Sequence, residues 1–459
     1  MDSHELVGVK LFFSQVTPLE MILFVGPFIL LLACLALLPL FFSHFWESNK
    51  NKAIVALTLG FPSALFFFFK DWHMLTHTAL DYAAFVSLMG ALFVISGGIY
   101  VRGAFAGLPW VNGLFLLIGA LLANFIGTTG ASMLLIRPLL RANHMRQHKV
   151  HIVIFFIFIV SNCAGLLTPL GDPPLFLGFL KGVSFGWTLQ LWPEWLLVNS
   201  ILGVLFYVTD AYWFSREHQD TKTILRKNDG YLSERFGIEG KRNFALLGMV
   251  ISLILVSGYC IYPIEGQPIW GESLGGILSK AFQIVSMALL AAVSFFATPK
   301  KIHEKNNFSF GPIIEVAVLF AGIFLAMIPA LLILETQGAK MHMGQTWQLF
   351  WASGLLSGFL DNAPTYLTFT SLAKGILGLT GEGLAELMHH PQGMEFLKAV
   401  SCGAVMMGAL SYIGNGPNFM VKAIAEHAKV KMPSFFGYMA WSVMILIPTF
   451  LIVTLVFFR

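Results

Sequence analysis

The sequence predicts an all-α protein that crosses a lipid bilayer many times. Of its 459 residues, 57% are hydrophobic and only 11% are charged, whereas soluble proteins carry about 25% charged residues. Uncharged runs recur along the chain, each close to the ~20 residues that cross a bilayer as a helix. Basic residues fall between these runs, where they set orientation. The composition excludes a disordered chain, a coiled coil and a secreted disulfide scaffold, and nucleic acid is not expected as a partner.

Ten uncharged stretches predict transmembrane helices. They lie at about 21–44, 53–69, 82–101, 150–171, 195–215, 243–264, 274–298, 313–335, 399–421 and 434–458. Two longer stretches are predicted to turn back as re-entrant hairpins, at about 103–142 and 341–374. The first has no charge from Gly103 to Ile136, yet at ~1.5 Å per residue a single helix of that length exceeds the ~30 Å hydrocarbon core.

Lys and Arg indicate which helix ends face the cytoplasm. The polar linker from Arg216 to Arg242 carries seven basic residues, which is typical of a cytoplasmic segment. A second basic cluster at 300–305 predicts another cytoplasmic loop, whereas the loop at 265–272 has no Lys or Arg and is predicted to lie outside.

The order of the segments predicts two repeats of inverted topology. Residues 1–215 run as three helices, a hairpin, an interrupted helix at about 150–182 and a final helix. After the linker 216–242, residues 243–459 repeat this series, with an interrupted helix at about 399–431. Inverted repeats with broken helices are typical of secondary transporters.

Two gapless alignments support the repeat. Residues 165–174 read GLLTPLGDPP and residues 408–417 read GALSYIGNGP, while Ala123-Asn124 in the first hairpin aligns with Asp361-Asn362 in the second. Chance similarity between apolar helices does not predict helix breakers beside matching polar groups.

The Gly- and Pro-rich segments cannot continue as regular helix, because proline lacks an amide donor and glycine is a poor helix former. Unwound backbone at membrane depth is tolerated where it is buried in protein or lines a cavity, and it offers carbonyls and helix ends to an ion. A kinked packing helix is the alternative.

Asp172 and Asp361 are the carboxylates within these features, one in each half. A carboxylate at the bilayer centre is costly unless it is protonated, paired or bound to a cation. Because desolvation favours the neutral form, one site can hold either a proton or a sodium ion, which is the chemistry of an antiporter. Neutral oxygens, the ligands that hard alkali cations prefer, come from Asn124, Thr128, Thr129, Ser132, Asn162, Ser357, Asn362, Thr365, Ser401, Ser411, Asn415 and Asn418. Singly, each could instead cap a helix or bond a neighbouring helix.

Other ionisable residues carry weaker predictions. Four carboxylates lie near the ends of predicted spans, where such groups are ordinary, namely Asp81, Asp210, Glu315 and Glu335. Glu315 is the best candidate among them for the ion path. The histidines after the first hairpin, His144, His148 and His151, are predicted in a solvated basic loop, and residues 375–398 are predicted as an external loop.

From about Met21 onward the chain resembles the NhaD-type sodium/proton antiporters of the ion transporter superfamily, which also contains arsenite permeases and citrate and dicarboxylate carriers. The resemblance rests on NFIGTTGAS at 124–132, SN at 161–162 with GDPP at 171–174, SGFLDN at 357–362 and YIGNGPNF at 412–419. It implies a homodimer in a bacterial inner membrane, without a resident cofactor. It also implies that the hairpins and broken helices form a mobile unit that slides against a scaffold of the other helices.

Carried over residue by residue, the functional side chains of that family match Asp361, Asn362, Ser357, Asn162 and Asp172. There is one departure. Such antiporters have an Asp-Asn pair in the first hairpin, where this sequence reads Ala123-Asn124, and the threonine expected two places after the first-half aspartate is Pro174. A missing carboxylate bears on proton stoichiometry and on the identity of the ion.

The leading hypothesis is a secondary transporter that exchanges Na⁺, or Li⁺, for protons, with Na⁺ held at Asp361, Asn362, Asp172 and Asn415. The alternative is a sodium-coupled carrier or an efflux permease for an anion such as citrate, a dicarboxylate or arsenite. A multivalent anion favours fixed positive charge, but the nearest basic residues lie seven or more positions beyond the polar motifs, at Arg137, Lys181, Lys374 and Lys422.

An intramembrane aspartic protease and a channel are further alternatives. Pro169-Leu-Gly-Asp172 lacks the first glycine of a Gly-x-Gly-Asp motif, and neither a His-Glu-x-x-His nor a Gly-x-Ser-Gly motif occurs in the sequence. A channel would carry a concentration-driven current without proton coupling.

Overall fold

The computed structural model describes residues 3–103, 105–227, 237–264, 273–341, 343–379, 381 and 383–459. Within these ranges the chain is helical apart from one antiparallel strand pair, β1 Tyr100–Arg102 with β2 Gly237–Glu239. The all-α prediction is confirmed. The predicted outer loop 265–272 and positions 228–236 of the linker lie outside the described residues.

The helices are given in chain order. They are α1 Ser3–Ser14, α2 Pro18–Phe41, α3 Ser43–Trp46, α4 Asn49–Lys70, α5 Trp72–Gly97, α6 Pro109–Ala142, α7 Val150–Ile159, α8 Pro173–Leu180, α9 Trp192–Ser215, α10 Gln219–Lys227, α11 Arg242–Val256, α12 Leu274–Ala297, α13 Lys300–Lys305, α14 Gly311–Gln337, α15 Thr346–Phe359, α16 Asn362–Ile376, α17 Ala385–His389, α18 Pro391–Met407, α19 Gly416–His427 and α20 Phe435–Phe457. Short 3₁₀ turns cover Cys163–Leu166, Phe185–Leu191, Gly338–Met341 and Gly408–Leu410, and a π-helical turn covers Ser257–Ile261.

Ten helical segments in the described part of the chain are long and apolar enough to cross a membrane. The predicted number is therefore confirmed, although the membership differs. Pro109–Ala142, predicted as a hairpin, is one of the ten, whereas the predicted interrupted helix at 150–182 is divided into the shorter α7 and α8.

The first hairpin turns at Gly127. This residue has φ 75° and ψ 156° inside α6, a conformation that glycine adopts without the strain a Cβ would cause. A Cβ built on Gly119 would lie 3.2 Å from Cδ1 of Leu135, whereas sixteen residues of continuous helix span ~24 Å. The two halves of α6 therefore fold back on each other, as the hairpin prediction requires.

The other breaks also fall where the sequence places them. The second hairpin turns through Leu360 and Asp361, which are extended between α15 and α16. The first broken helix is interrupted between α7 and α8, and the second between α18 and α19. Each half of the chain thus holds a hairpin followed by a broken helix, while the repeat boundaries stay a prediction.

The predicted external loop at 375–398 is wrong. Residues of this segment form the end of α16, all of α17 and the start of α18, which begins at Pro391 rather than near 399. His390 caps α18 by accepting a hydrogen bond from the Gly393 amide at 3.1 Å, and proline is favourable at the first helical position. Polar residues in this first turn conceal the helix from a hydropathy argument.

Five helices, α1, α4, α5, α12 and α14, contact one another and are called the scaffold helices here. Small residues let α4 and α14 approach closely, since a Cβ on Gly60 would lie 3.1 Å from the carbonyl oxygen of Gly322. Such contacts between small residues are how membrane helices gain packing energy. Phe85 of α5 stacks on Phe320 of α14 with ring centroids 4.7 Å apart.

Candidate functional site

The carboxylate of Asp172 lies where both hairpins and both broken helices meet. Its side chain is buried, with 1% of its surface exposed. One carboxylate oxygen accepts hydrogen bonds from Thr128 Oγ1 at 2.7 Å and Asn415 Nδ2 at 3.1 Å. The other oxygen accepts from Asn362 Nδ2. Each donor comes from a different segment, so this carboxylate joins four pieces of the chain.

Local sequence explains this position. Pro173 begins α8 and excludes the helical conformation for the residue before it, so Asp172 is extended with φ −147° and ψ 146°. Thr128 is the first residue after the turn at Gly127, and its amide donates to the carbonyl oxygen of Gly171 at 2.8 Å. The hairpin turn and the helix break are therefore bonded through both backbone and side chain.

Asp361 occupies the equivalent place before α16. One of its carboxylate oxygens accepts from the Ala363 amide at 3.0 Å and so caps the helix. Its backbone carbonyl accepts from Thr365 Oγ1 at 2.9 Å. The two site carboxylates are close enough to interact electrostatically.

A cavity of about 90 Å³, the site cavity, adjoins these groups. Asp361, Thr129 and Asn415 line it from the site, and Phe85 and Phe320 line it from the scaffold helices. Among the described residues that line it, there is neither a Lys nor an Arg. The formal charge of the side chains facing this cavity is therefore negative.

Three asparagines bond the two broken helices to each other. Asn415 Nδ2 donates to Asn162 Oδ1 at 3.2 Å, and Asn162 Nδ2 donates to Asn418 Oδ1 at 2.7 Å. Asn418 in turn donates to the carbonyl oxygens of Gly408 and Ser411, both at 2.9 Å. Asn162 and Asn415, both predicted site residues, thus meet although 253 positions separate them.

Asn362 offers an oxygen to a ligand. Its side chain is fully buried and its Nδ2 donates to Asp172, but within the described part of the chain no donor reaches its Oδ1. Buried acceptors in native proteins are almost always satisfied. A cation next to the two carboxylates would use this oxygen, because carboxylate and amide oxygens are the ligands that hard cations prefer.

Two predicted site residues hold the backbone in place. Asn124 Oδ1 accepts from the Leu167 amide at 2.9 Å, and the carbonyl oxygen of Asn124 accepts from Thr168 Oγ1. Ser357 Oγ donates to the carbonyl oxygen of Ala404 at 2.6 Å. These bonds link each hairpin to the broken helix that follows it.

The remaining predicted hydroxyls do not bond Asp172 in the described structure. Ser411 Oγ accepts from the Ile413 amide at 3.1 Å within its own turn. Ser132 and Ser161 share a hydrogen bond of 2.8 Å between the first hairpin and the first break. Ser401 is buried on α18.

The structure also shows features that sequence reasoning missed. The scaffold side of the site cavity is made of apolar residues such as Phe85 and Phe320, which look like lipid-facing positions in the sequence. Ala123, where the resemblance leads one to expect a carboxylate, is a fully buried apolar residue. In the described structure, therefore, Asp172 and Asp361 are the carboxylates that the breaks bring together.

Two carboxylates predicted as ordinary interfacial groups have specific ion-pair partners. Asp81 is buried in α5, with Lys181 and Lys280 each 2.6 Å from its carboxylate. Glu315, the preferred candidate for the ion path, pairs with Lys52 at 2.6 Å and is 41% exposed. It does not line the site cavity.

The prediction of a solvated histidine loop is wrong for His151. This residue is buried, and its Nε2 lies 2.8 Å from Asp210, which also pairs with Arg146 at 2.6 Å. Glu217 accepts from the His148 backbone amide at 2.8 Å. Acidic residues at and after the end of α9 thus neutralise a loop that is basic in the sequence, while His144 is exposed as predicted.

Comparison with known proteins gives one family. A family model described as "Putative citrate transport" matches residues 17–458. No curated protein matches the chain.

Proposed function

The chain belongs to this citrate transport family, and from that premise we propose that it is a secondary transporter exchanging Na⁺ or Li⁺ for protons. The observation that carries the proposal is the composition of the site cavity. Two buried carboxylates, Asp172 and Asp361, meet amide and hydroxyl oxygens there, and the described lining contains no basic residue.

The charge at this place favours a cation. Citrate would bring two or three negative charges to a site that already holds two carboxyl groups, without a cationic side chain among its described lining residues. A small alkali cation instead reduces the repulsion between the carboxylates and supplies a partner for Asn362 Oδ1. Amide and hydroxyl oxygens complete such a site without adding charge.

Coupling follows from the cost of an empty site. Two ionised carboxylates without a cation are expensive to move through the membrane interior. The site therefore changes sides with either the cation or protons bound, and each displaces the other. In this account Asp172 and Asp361 bind the cation directly, while Thr128, Asn362 and Asn415 orient the carboxylate of Asp172.

The test is exchange in proteoliposomes. An outwardly directed Na⁺ or Li⁺ gradient should drive proton entry that a pH-sensitive dye reports, and Asp361→Asn and Asp172→Asn should each abolish it. Asp220→Asn, an exposed carboxylate on α10, is the matched control and should retain exchange. Undiminished exchange in both site variants would refute the assignment.

A sodium-coupled carrier of citrate or a dicarboxylate is the second candidate. The family description favours it, and so does one structural observation. Three helices, α8, α16 and α19, begin at the site, and helix N-termini carry partial positive charge that binds carboxylates. Labelled citrate uptake that needs a Na⁺ gradient, without dye-reported exchange, would replace the first proposal with this one. The homodimer and the bacterial inner membrane stay predictions.

A further inference from the structure

A second cavity, of about 370 Å³, lies between the site-bearing helices α8 and α16 and the scaffold helices. It touches α5 at positions 71–81 and α14 at positions 324–335, whereas the site cavity touches the same two helices at 85–93 and 312–320. The two cavities therefore lie toward opposite ends of α5 and α14. The described lining of the second cavity includes neither Asp172 nor Asp361.

Three aromatic rings separate the cavities. Phe85 and Phe320 line the site cavity, and Phe324 lines the second cavity. The ring of Phe85 lies 4.7 Å from that of Phe320 and 5.9 Å from that of Phe324, measured between centroids. The structure thus has the site reachable from one cavity and closed from the other.

Helices α8 and α16 form one body. Asn362 at the start of α16 donates to Asp172 at the start of α8. At the other end, the amide of Leu384, which follows α16, donates to the carbonyl oxygen of Lys181 at 2.7 Å. Bonds at both ends mean that the two helices move together.

Two ion pairs join this body to the scaffold helices beside the second cavity. Lys181, directly after α8, pairs with Asp81 of α5 at 2.6 Å, and Lys374 of α16 pairs with Glu335 of α14 at 3.4 Å. The backbones are closest near the second pair, where a Cβ on Gly338 would lie 3.0 Å from Cα of Gly375.

Each scaffold carboxylate also has a lysine from the scaffold itself. Lys280 of α12 lies 2.6 Å from Asp81, and Lys10 of α1 lies 3.5 Å from Glu335. If the body moves and takes Lys181 and Lys374 with it, neither carboxylate is left buried without a cation. The high cost of stranding a buried charge is thereby avoided, so these pairs can open and close repeatedly.

We propose that Lys181 and Lys374 are positioning residues that hold the α8–α16 body against the scaffold helices with the second cavity closed off from the site. Transport requires both pairs to open, after which the site becomes reachable from the second cavity. The inference concerns the position of the body and does not depend on which ion is transported.

Thiol accessibility tests this directly. In a background with the exposed or half-buried Cys34 and Cys260 changed to Ala, single cysteines replace Ser371 in the second cavity or Met89 in the site cavity. A membrane-impermeant thiol reagent is applied to the detergent-solubilised full chain, so that both cavities are exposed to it. Lys374→Gln should raise the labelling rate at position 371 and lower it at position 89, each by about fivefold for loss of one partly exposed pair.

Three further variants separate positioning from damage. Lys374→Arg keeps the charge and should behave as the parent. Lys398→Gln removes an ion pair with Glu395 that lies within α18 and should change neither rate. Gly375→Ala adds a Cβ that collides with the backbone oxygen of Leu334, so it should shift both rates as Lys374→Gln does, without any change in charge.

The opposite movement of the two rates is decisive. A change that only loosens the fold would raise labelling at both positions, and this result for Lys374→Gln would overturn the proposal, as would unchanged rates at both. Opposite shifts in a protein that fails to exchange Na⁺ would leave this inference standing and refute only the proposed ion.

Discussion

At the scale of single residues, the site is a carboxylate whose hydrogen bonds come from three other segments. Thr128 Oγ1, Asn415 Nδ2 and Asn362 Nδ2 all donate to Asp172. Hydrogen bonds to a charged group are worth about 1.5–3 kcal/mol each. These donors stabilise the ionised form that binds a cation, so each should contribute to cation affinity.

Removing one donor gives a graded prediction. Thr128→Ala should raise the half-saturating Na⁺ concentration about tenfold, because ~1.4 kcal/mol corresponds to a factor of ten, while the protein remains folded. Thr128→Ser keeps the hydroxyl and should restore most of the affinity. Measurement is by dye-reported exchange across a Na⁺ titration. Equal affinities for the Ala and Ser variants would contradict a role for this hydroxyl.

At the scale of elements, the turn at Gly127 depends on a backbone conformation that few residues adopt. Its φ of 75° allows α6 to reverse and places Thr128 beside the helix break. A Cβ there would also lie 3.2 Å from the carbonyl oxygen of Leu170. Hairpin geometry and site geometry therefore share one residue.

Gly127→Ala should lower stability by about 1–2 kcal/mol, the cost of placing an L-residue in the left-handed region, and should impair exchange. The measurement is the thermal unfolding temperature in detergent together with transport. Gly113→Ala on the same helix is the control, since a Cβ there meets nothing within 4 Å and alanine favours helix. A Gly127→Ala protein as stable and active as Gly113→Ala would rule out this account of the turn.

At the scale of the whole molecule, buried charges connect helices that are distant in sequence. Asp210 of α9 bonds Arg146 and His151 in the segment between α6 and α7. Both Asp210 and Arg146 are buried. The network ties the first hairpin and the first broken helix to α9.

Asp210→Asn should destabilise the fold by about 3–5 kcal/mol, because breaking a buried pair leaves an uncompensated charge. Lower yield of folded protein and a lower unfolding temperature would report it. Asp220→Asn, which changes an exposed carboxylate, should have little effect. Equal unfolding temperatures for the two variants would show that the Asp210 pair does not support the fold.

The sequence was sufficient to predict the spans, the breaks and the central carboxylates, because proline, glycine and the scarcity of charge are local signals. It also indicated Asn162 and Asn415, since they align within the matched segments. It did not predict that Asp81 and Asp210 are buried with basic partners, because those partners are up to about 200 positions away. Nor did it distinguish Phe85 and Phe320 from lipid-facing residues, since apolar residues on both faces of a membrane helix look alike.

Competition between sodium ions and protons tests the central claim most directly. In proteoliposomes, the half-saturating Na⁺ concentration is measured at several pH values. If one proton competes with Na⁺ at the site, lowering the pH by one unit should raise this concentration about tenfold at acidic pH without changing the maximal rate. A half-saturating concentration that is independent of pH, with Asp172→Asn and Asp361→Asn proteins still exchanging, would contradict the account.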